Sequence, residues 1–114
     1  MQAITPYLNF NGNAAEALAF YTKAFDGTIL FQQSYADAPM DIDPSWKDKV
    51  LHATFQAGEL TFMVSDVMHS DMKVTAGSNL SLSLNFDDVA SIEKTFSALS
   101  DGANITMPLE DTFW

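Results

Sequence analysis

His52 carries the most versatile side chain in the sequence, because an imidazole can act as a metal ligand or as a general acid or base near neutral pH. It lies in a segment in which Val50, His52 and Thr54 alternate with apolar residues. Such alternation predicts a strand with one face packed on a helix. We expect Val50, His52 and Thr54 to lie on the opposite face. On that face His52 could bind a ligand; the alternative is an ordinary strand histidine that forms a hydrogen bond.

Further ligand-binding candidates are predicted on the same face, because the leucines and phenylalanines that alternate with them should pack on the helices. These candidates are Tyr7, Asn9, Met63, Ser81, Ser83 and Asn85. Their hydroxyl and amide groups could orient a small ligand, and Met63 could supply an adaptable apolar wall. The alternative is a solvated sheet face with no ligand.

Other candidates lie outside the predicted strands. Trp46 follows several acidic residues in a loop, where it could hold a flat cationic ligand or a partner chain. The alternative is a loop folded on its own apolar residues, which also include Met40. Glu110 could bring a carboxylate to the ligand, or remain a charge at the rim. Phe113 is another loop aromatic, and His69 is predicted to be a solvated loop histidine.

The composition narrows the classes of function. The absence of cysteine excludes disulfides, thiolate catalysis and Cys-ligated metals. Five lysines, no arginine and fifteen acidic residues give a net charge of −10, which disfavours nucleic-acid binding. This charge favours a neutral or cationic ligand, or simply confers solubility. The sequence has no nucleophile elbow, phosphate-binding loop or histidine pair at helical spacing, so hydrolase, kinase or dehydrogenase activity has no support.

Length and hydropathy predict one globular domain over residues 1–114, since 47% of the 114 residues are apolar. No apolar run reaches the 18 residues that would indicate a membrane span. The first residues carry no basic segment of the kind that begins a secretory signal. We therefore expect a cytoplasmic protein without membrane contacts.

The order of predicted elements indicates an α+β fold. Strands are expected over residues 3–10, 28–35, 50–56 and 60–65, with a helix ending at Phe25 after the first strand. The helix should begin with a capping box from Asn13 to Glu16 and end at Asp26-Gly27, where Gly27 would be left-handed. A second series follows: a strand over 80–86, a helix capped by Asp87-Asp88 and a short strand over 103–107.

The second series resembles a repeat of the first. Leu8-Asn9-Phe10 recurs as Leu84-Asn85-Phe86, an offset of 76, and Asp26-Gly27 recurs as Asp101-Gly102, an offset of 75. The matching order of strand, cap and helix end indicates duplication. Module one then covers about residues 3–65, a linker covers 66–79, and a partial module two covers 80–114. By this logic module two lacks about two strands. A further tail or a partner chain would supply them, or the second copy is naturally short.

Paired βαβββ modules, together with several short motifs, resemble the PhnB-like group of the vicinal oxygen chelate superfamily, which includes glyoxalase I, bleomycin-resistance proteins and extradiol dioxygenases. The motifs are residues 6–10, 14–17 with Phe20-Tyr21, 25–27, His52-Ala53, Gly58-Glu59, Ser65-Asp66 and 111–114. The resemblance implies that the modules form a curled mixed sheet, a cup with the helices outside. Relatives are sometimes labelled 3-demethylubiquinone methyltransferases, but residues 9–13 lack the glycine-rich turn typical of S-adenosylmethionine enzymes.

The superfamily also implies a divalent metal in the cup, held by His, Gln or Glu. In this sequence the corresponding strand positions fall near Thr5, Ser81 and either Met63 or Ser65. None of these residues is a usual ligand, and the fourth position would fall beyond Trp114. The identity of any cofactor therefore stays open, with His52, Glu110 or a residue of a further tail as the metal candidates.

These observations favour two functions and leave open a third, a stand-alone dimerising module with no ligand. The first is a homodimeric PhnB-like protein that binds a small neutral or cationic molecule in the cup without catalysis, as bleomycin-resistance proteins do. The alternative is a metal-dependent lyase, isomerase or dioxygenase of the glyoxalase type. Whether the chain is an enzyme is therefore undecided by the sequence.

Overall fold

Alternating apolar residues and a helical apolar stripe generate the first part of the fold, as the sequence predicts. A computed structural model describes residues 1–39, 41–67 and 73–110, which fall into two units that divide between Ala76 and Gly77. The elements of the first unit are β1 (Tyr7–Phe10), α1 (Ala14–Phe25), β2 (Thr28–Ser34), β3 (Val50–Ala57) and β4 (Leu60–Asp66), with short 3-10 helices at Tyr35–Asp37 and Pro44–Trp46.

The strands form one mixed sheet in the order β1-β4-β3-β2. Strand β1 runs parallel to β4, while the pairs β3–β4 and β2–β3 are antiparallel. The tight connection between β3 and β4 places Gly58 at φ 58°, a conformation that favours glycine. The predicted hairpin is therefore confirmed.

Helix α1 packs on one face of this sheet. Its Ala14 and Leu18 are buried, and so are Phe55 of β3 and Val64 of β4. The Phe55 ring stacks on Phe62 with their centroids 4.7 Å apart. Burial of such apolar surface supplies the main stabilisation of the unit. The predicted helix-facing positions Ala53 and Phe55 on β3, and the stripe of α1 that includes Leu18, are thus correct. Val50 was expected on the opposite face, and that prediction is wrong: Val50 is buried in the same core, next to the register shift between Gln33 and Ser34.

The ends of α1 differ from the prediction. Asn13 makes no side-chain capping bond, so the predicted capping box is absent. Instead, Asp66 Oδ1 accepts hydrogen bonds from the backbone nitrogen atoms of Gly12 and Ala14, at 2.9 and 3.0 Å. At the other end Asp26, and not Gly27, is the left-handed residue, with φ 54°. Gly27 is required because a Cβ atom there would overlap the Phe55 ring.

The second unit contains α2 (Val89–Leu99). Asp88 caps it, since its side chain accepts a hydrogen bond of 2.7 Å from the Ser91 amide. Beyond the helix Gly102 has φ 75°, as expected for a glycine that follows a helix. Both predicted boundaries of this helix are therefore confirmed. No helix within the described ranges is long and apolar enough to cross a membrane.

The predicted strands over residues 80–86 and 103–107 are wrong, because the structure gives these segments no strand hydrogen bonding. Alternation specifies two faces of a strand but not the neighbour that must pair with it. Among residues 73–110 no segment provides that neighbour. The described chain is thus an α+β protein with a four-stranded mixed sheet and two helices. Among the described residues the sheet is not curled into a cup and a second set of strands is not shown, so the paired-module cup goes beyond this structure.

Candidate functional site

The face of the sheet opposite α1, called the open face below, gathers polar and aromatic side chains. Strand register places Tyr7 beside Met63, Met63 beside Thr54, and Thr54 beside Phe31. These four residues form one row across all four strands. Because β3 alternates, His52 lies on the same face as Thr54. The register thus brings Tyr7, His52, Thr54 and Met63 together on one face, while their role in binding stays a prediction.

His52 lies at the centre of this group. Its Nδ1 atom is 3.0 Å from the hydroxyl of Tyr7, and its Nε2 atom is 3.5 Å from Thr54 Oγ1. The Tyr7 ring meets the imidazole edge-on at 5.7 Å, and the Phe31 ring lies on it at 6.1 Å with a tilt of 47°. Two aromatic rings and two hydroxyl groups thus surround the imidazole and fix its orientation.

The aromatic residues of the open face remain accessible. Tyr7 is 44% exposed and Phe31 is 52% exposed, although each carries a large apolar ring. Exposed apolar rings that cluster beside polar groups are typical of binding surfaces. A flat molecule could lie across this row and form hydrogen bonds with the Tyr7–His52 pair.

Asn9 and Ser65 extend the open face at the next register position, where they are Cα partners. The Ser65 hydroxyl donates to the Leu51 carbonyl oxygen at 2.8 Å, so it joins β4 to β3. Asn9 is exposed. Its carboxamide is therefore accessible to a ligand on this face, as the sequence suggested.

Trp46 lies in the second 3-10 helix, where its ring meets Tyr35 perpendicularly at 5.9 Å. Tyr35 is buried and donates its hydroxyl to the Asp66 carbonyl oxygen at 2.6 Å. Burial raises the pKa of the Tyr35 phenol above 10.0; a hydrogen bond with Ser65 opposes this shift, and the charge of Asp66 adds to it. Trp46 therefore packs against a residue that the sequence analysis assigned to the preceding strand, and its role in ligand binding stays a prediction.

The remaining candidates belong to the second unit or lie outside the described residues. Ser83, Asn85 and Glu110 are exposed residues of the second unit, and their roles in binding stay predictions. Met40, His69 and Phe113 fall outside the described ranges.

A divalent metal, which the superfamily implies, does not fit the described residues. Within residues 1–39, 41–67 and 73–110 no three His, Cys, Asp or Glu side chains come together. Both ring nitrogens of His52 face hydroxyl groups, and neither Thr54 nor Tyr7 is among the ligands that this superfamily uses. His52 and its neighbours therefore do not form the metal site that the superfamily implies.

Sequence reasoning missed two residues that shape this region. Phe31 reaches the open face because the register shifts between Ile29 and Phe31, and strict alternation does not foresee a bulge. The prediction that Asp66 begins a polar linker is wrong, because Asp66 is 1% exposed and forms the end of β4. A single acidic residue after an apolar strand was the only local signal for it.

Comparisons with known proteins agree with this fold. The family model described as 3-demethylubiquinone-9 3-methyltransferase matches residues 2–113. The crystal structure of PA1353 from Pseudomonas aeruginosa has 38% identity and a TM-score of 0.86, covering 100% of this chain and 84% of that one. A PhnB protein from Bacillus cereus, described as a 3-demethylubiquinone-9 3-methyltransferase, has 33% identity and a TM-score of 0.71, covering 94% and 80%. Protein YjdN of Escherichia coli K12 is 26% identical, covering 97% of this chain and 81% of its own length.

Proposed function

This chain belongs to the 3-demethylubiquinone-9 3-methyltransferase family, a group with the vicinal oxygen chelate fold, and on that premise we propose that it binds a small neutral or cationic molecule on its open face without catalysis. The observation that carries the proposal is the accessible pair of rings, Tyr7 and Phe31, on either side of His52. The paired-module cup and the homodimer belong to the same proposal and rest on the family and the sequence repeat.

The chemistry of the group supports a planar organic ligand. Aromatic rings favour contact with other flat rings or with cations at their faces. His52 and Tyr7 can exchange their mutual hydrogen bond for bonds to a ligand, because a hydroxyl and a neutral imidazole each act as donor or acceptor. The net charge of −10 raises the local concentration of cations and repels anions.

The start of α1 offers little support for a methyl-donor cofactor. Polar cofactors commonly use the free amides at the N-terminus of the helix that follows the first strand. Here the amides of Gly12 and Ala14 donate to the Asp66 carboxylate. The groups that would hold a cofactor at this turn are thus engaged within the protein, so we propose no methyl transfer.

Fluorescence titration with thioflavin T, a planar aromatic cation, tests the proposal. We expect Phe31→Ala and His52→Ala to weaken binding roughly three- to tenfold, since one aromatic contact has about that energetic value. Leu30→Ala is the matched control, because Leu30 is 55% exposed on the same strand but outside the row. Equal affinities of all variants would contradict the proposed site. One equivalent of tightly held divalent metal in the purified protein would instead favour the glyoxalase-type alternative.

A further inference from the structure

The Asn11-Gly12 pair lies at the turn between β1 and α1, and it is the sequence at which asparagine side chains lose ammonia most readily. Glycine has no Cβ atom, so its backbone nitrogen can approach the preceding side chain without hindrance. Gly12 is the only glycine that follows an asparagine in the sequence. Asn11 is exposed, which gives water access to it.

The reaction needs two groups to be free. The Gly12 nitrogen loses its proton and attacks Asn11 Cγ, forming a carbon–nitrogen bond. The bond from Cγ to Nδ2 breaks, and Nδ2 leaves as ammonia with the proton that the medium returns. Water then opens the five-membered imide to aspartate or isoaspartate. No oxidant or other reactant is required.

The fold engages both groups. Asn11 Nδ2 donates to the Val74 carbonyl oxygen, and Asn11 Oδ1 accepts from the Val74 amide, each at 2.9 Å. The Gly12 amide donates to Asp66 Oδ1, also at 2.9 Å. A carboxylate beside this amide disfavours the anion that must form for attack, because like charges repel.

We propose that Asn11 is a deamidation site that the native fold holds unreactive, and that loss of its amide releases the segment at Val74. The release follows from the chemistry of the product. A carboxylate at residue 11 has no hydrogen atom to donate, so an oxygen would face the Val74 carbonyl oxygen at the position of Nδ2. Two acceptors in that position repel each other, and the bidentate contact is lost.

The rate of amide loss tests the first half of the proposal. Peptide mapping by mass spectrometry during incubation in mildly alkaline buffer would compare the full chain with a synthetic peptide of residues 8–16. We expect the folded chain to react at least about tenfold more slowly, since reaction requires local opening of the hydrogen bonds. Val74→Pro removes one of the two bonds to Asn11, and it should accelerate the reaction in a chain whose circular dichroism is unchanged. A folded rate equal to that of the peptide overturns the proposal, and so does an unaltered rate in Val74→Pro.

Limited trypsin digestion tests the second half, because Lys73 directly precedes Val74 and is exposed. We expect Asn11→Asp to be cut after Lys73 about tenfold faster than the native chain. Asn13→Asp is the matched control, since Asn13 makes no side-chain capping bond. Equal cleavage of the two variants would overturn the proposal that loss of the Asn11 amide releases the segment at Val74. A general acceleration that includes Lys23 in α1 does so as well, because the effect would then be global unfolding.

Discussion

Asp66 is the residue whose replacement should cost the most stability outside the apolar core. It is 1% exposed, and its two oxygens accept hydrogen bonds from three backbone amides. Oδ1 binds the amides of Gly12 and Ala14, while Oδ2 binds the amide of Val50 at 2.9 Å. One carboxylate thus joins the end of β4 to the first residue of α1 and the first residue of β3.

The magnitude follows from the amides that each variant leaves without a partner. Asp66→Ala leaves the buried amides of Ala14 and Val50 without an acceptor, and each unsatisfied buried donor costs about 1–3 kcal/mol. We therefore expect a loss of about 2–6 kcal/mol, against a total of about 5–15 kcal/mol for a typical domain. Asp66→Asn keeps one acceptor for α1 but turns an NH2 group toward the Val50 amide. Its expected loss is about 1–3 kcal/mol.

Urea unfolding at neutral pH, followed by circular dichroism, measures these losses. Asp48→Asn and Asp48→Ala are matched controls, because Asp48 is exposed and the same substitutions there should change stability by less than about 0.5 kcal/mol. We expect the loss of stability to be smallest in the Asp48 variants, larger in Asp66→Asn and largest in Asp66→Ala. An Asp66→Ala protein as stable as the Asp48→Ala control would refute the reasoning that this carboxylate satisfies three amides.

Three further predictions concern other contacts. Gly27→Ala should destabilise the chain by about 1–3 kcal/mol in the same urea assay, since the new methyl group overlaps the Phe55 ring; unchanged stability would contradict the close packing. The free energy of unfolding should fall as pH rises above 10.0, because the raised pKa of Tyr35 favours the protonated phenol in the folded state, and Tyr35→Phe should remove this dependence. Asp88 has a lowered pKa because it accepts hydrogen bonds from Ser91, so the contribution of this cap is present above pH 3.8 and lost on acidification; Asp88→Ala should reduce helical circular dichroism at neutral pH and show no such titration.

The elements that the sequence predicted correctly are those specified by local periodicity. Leu18 and Phe25 repeat at helical spacing, and α1 buries that stripe. Alternation in β3 placed Phe55 toward the helix and His52 on the open face. These patterns need no knowledge of the rest of the chain, because each is set by the geometry of one element.

The errors concern contacts between residues distant in sequence. The residues around Asn13 fit the local pattern of a capping box. The amide of Ala14 instead donates to Asp66, which lies 52 residues further along the chain. The bulge before Phe31 shifted one aromatic residue onto the open face without a local signal. Residues 80–86 alternate as a strand does, yet a strand also requires a paired neighbour, which alternation does not identify.

The two faces of the sheet are linked through consecutive residues of β4. Ser65 donates to the Leu51 carbonyl oxygen from the open face, and Asp66 binds the Val50 amide on the other side of the strand. Both bonds attach β4 to the start of β3, two residues or fewer from His52. If Asp66→Asn loosens this attachment, the position of His52 relative to Tyr7 should change as well. We therefore expect Asp66→Asn to weaken thioflavin T binding in a chain that is still folded, although Asp66 itself is not on the open face.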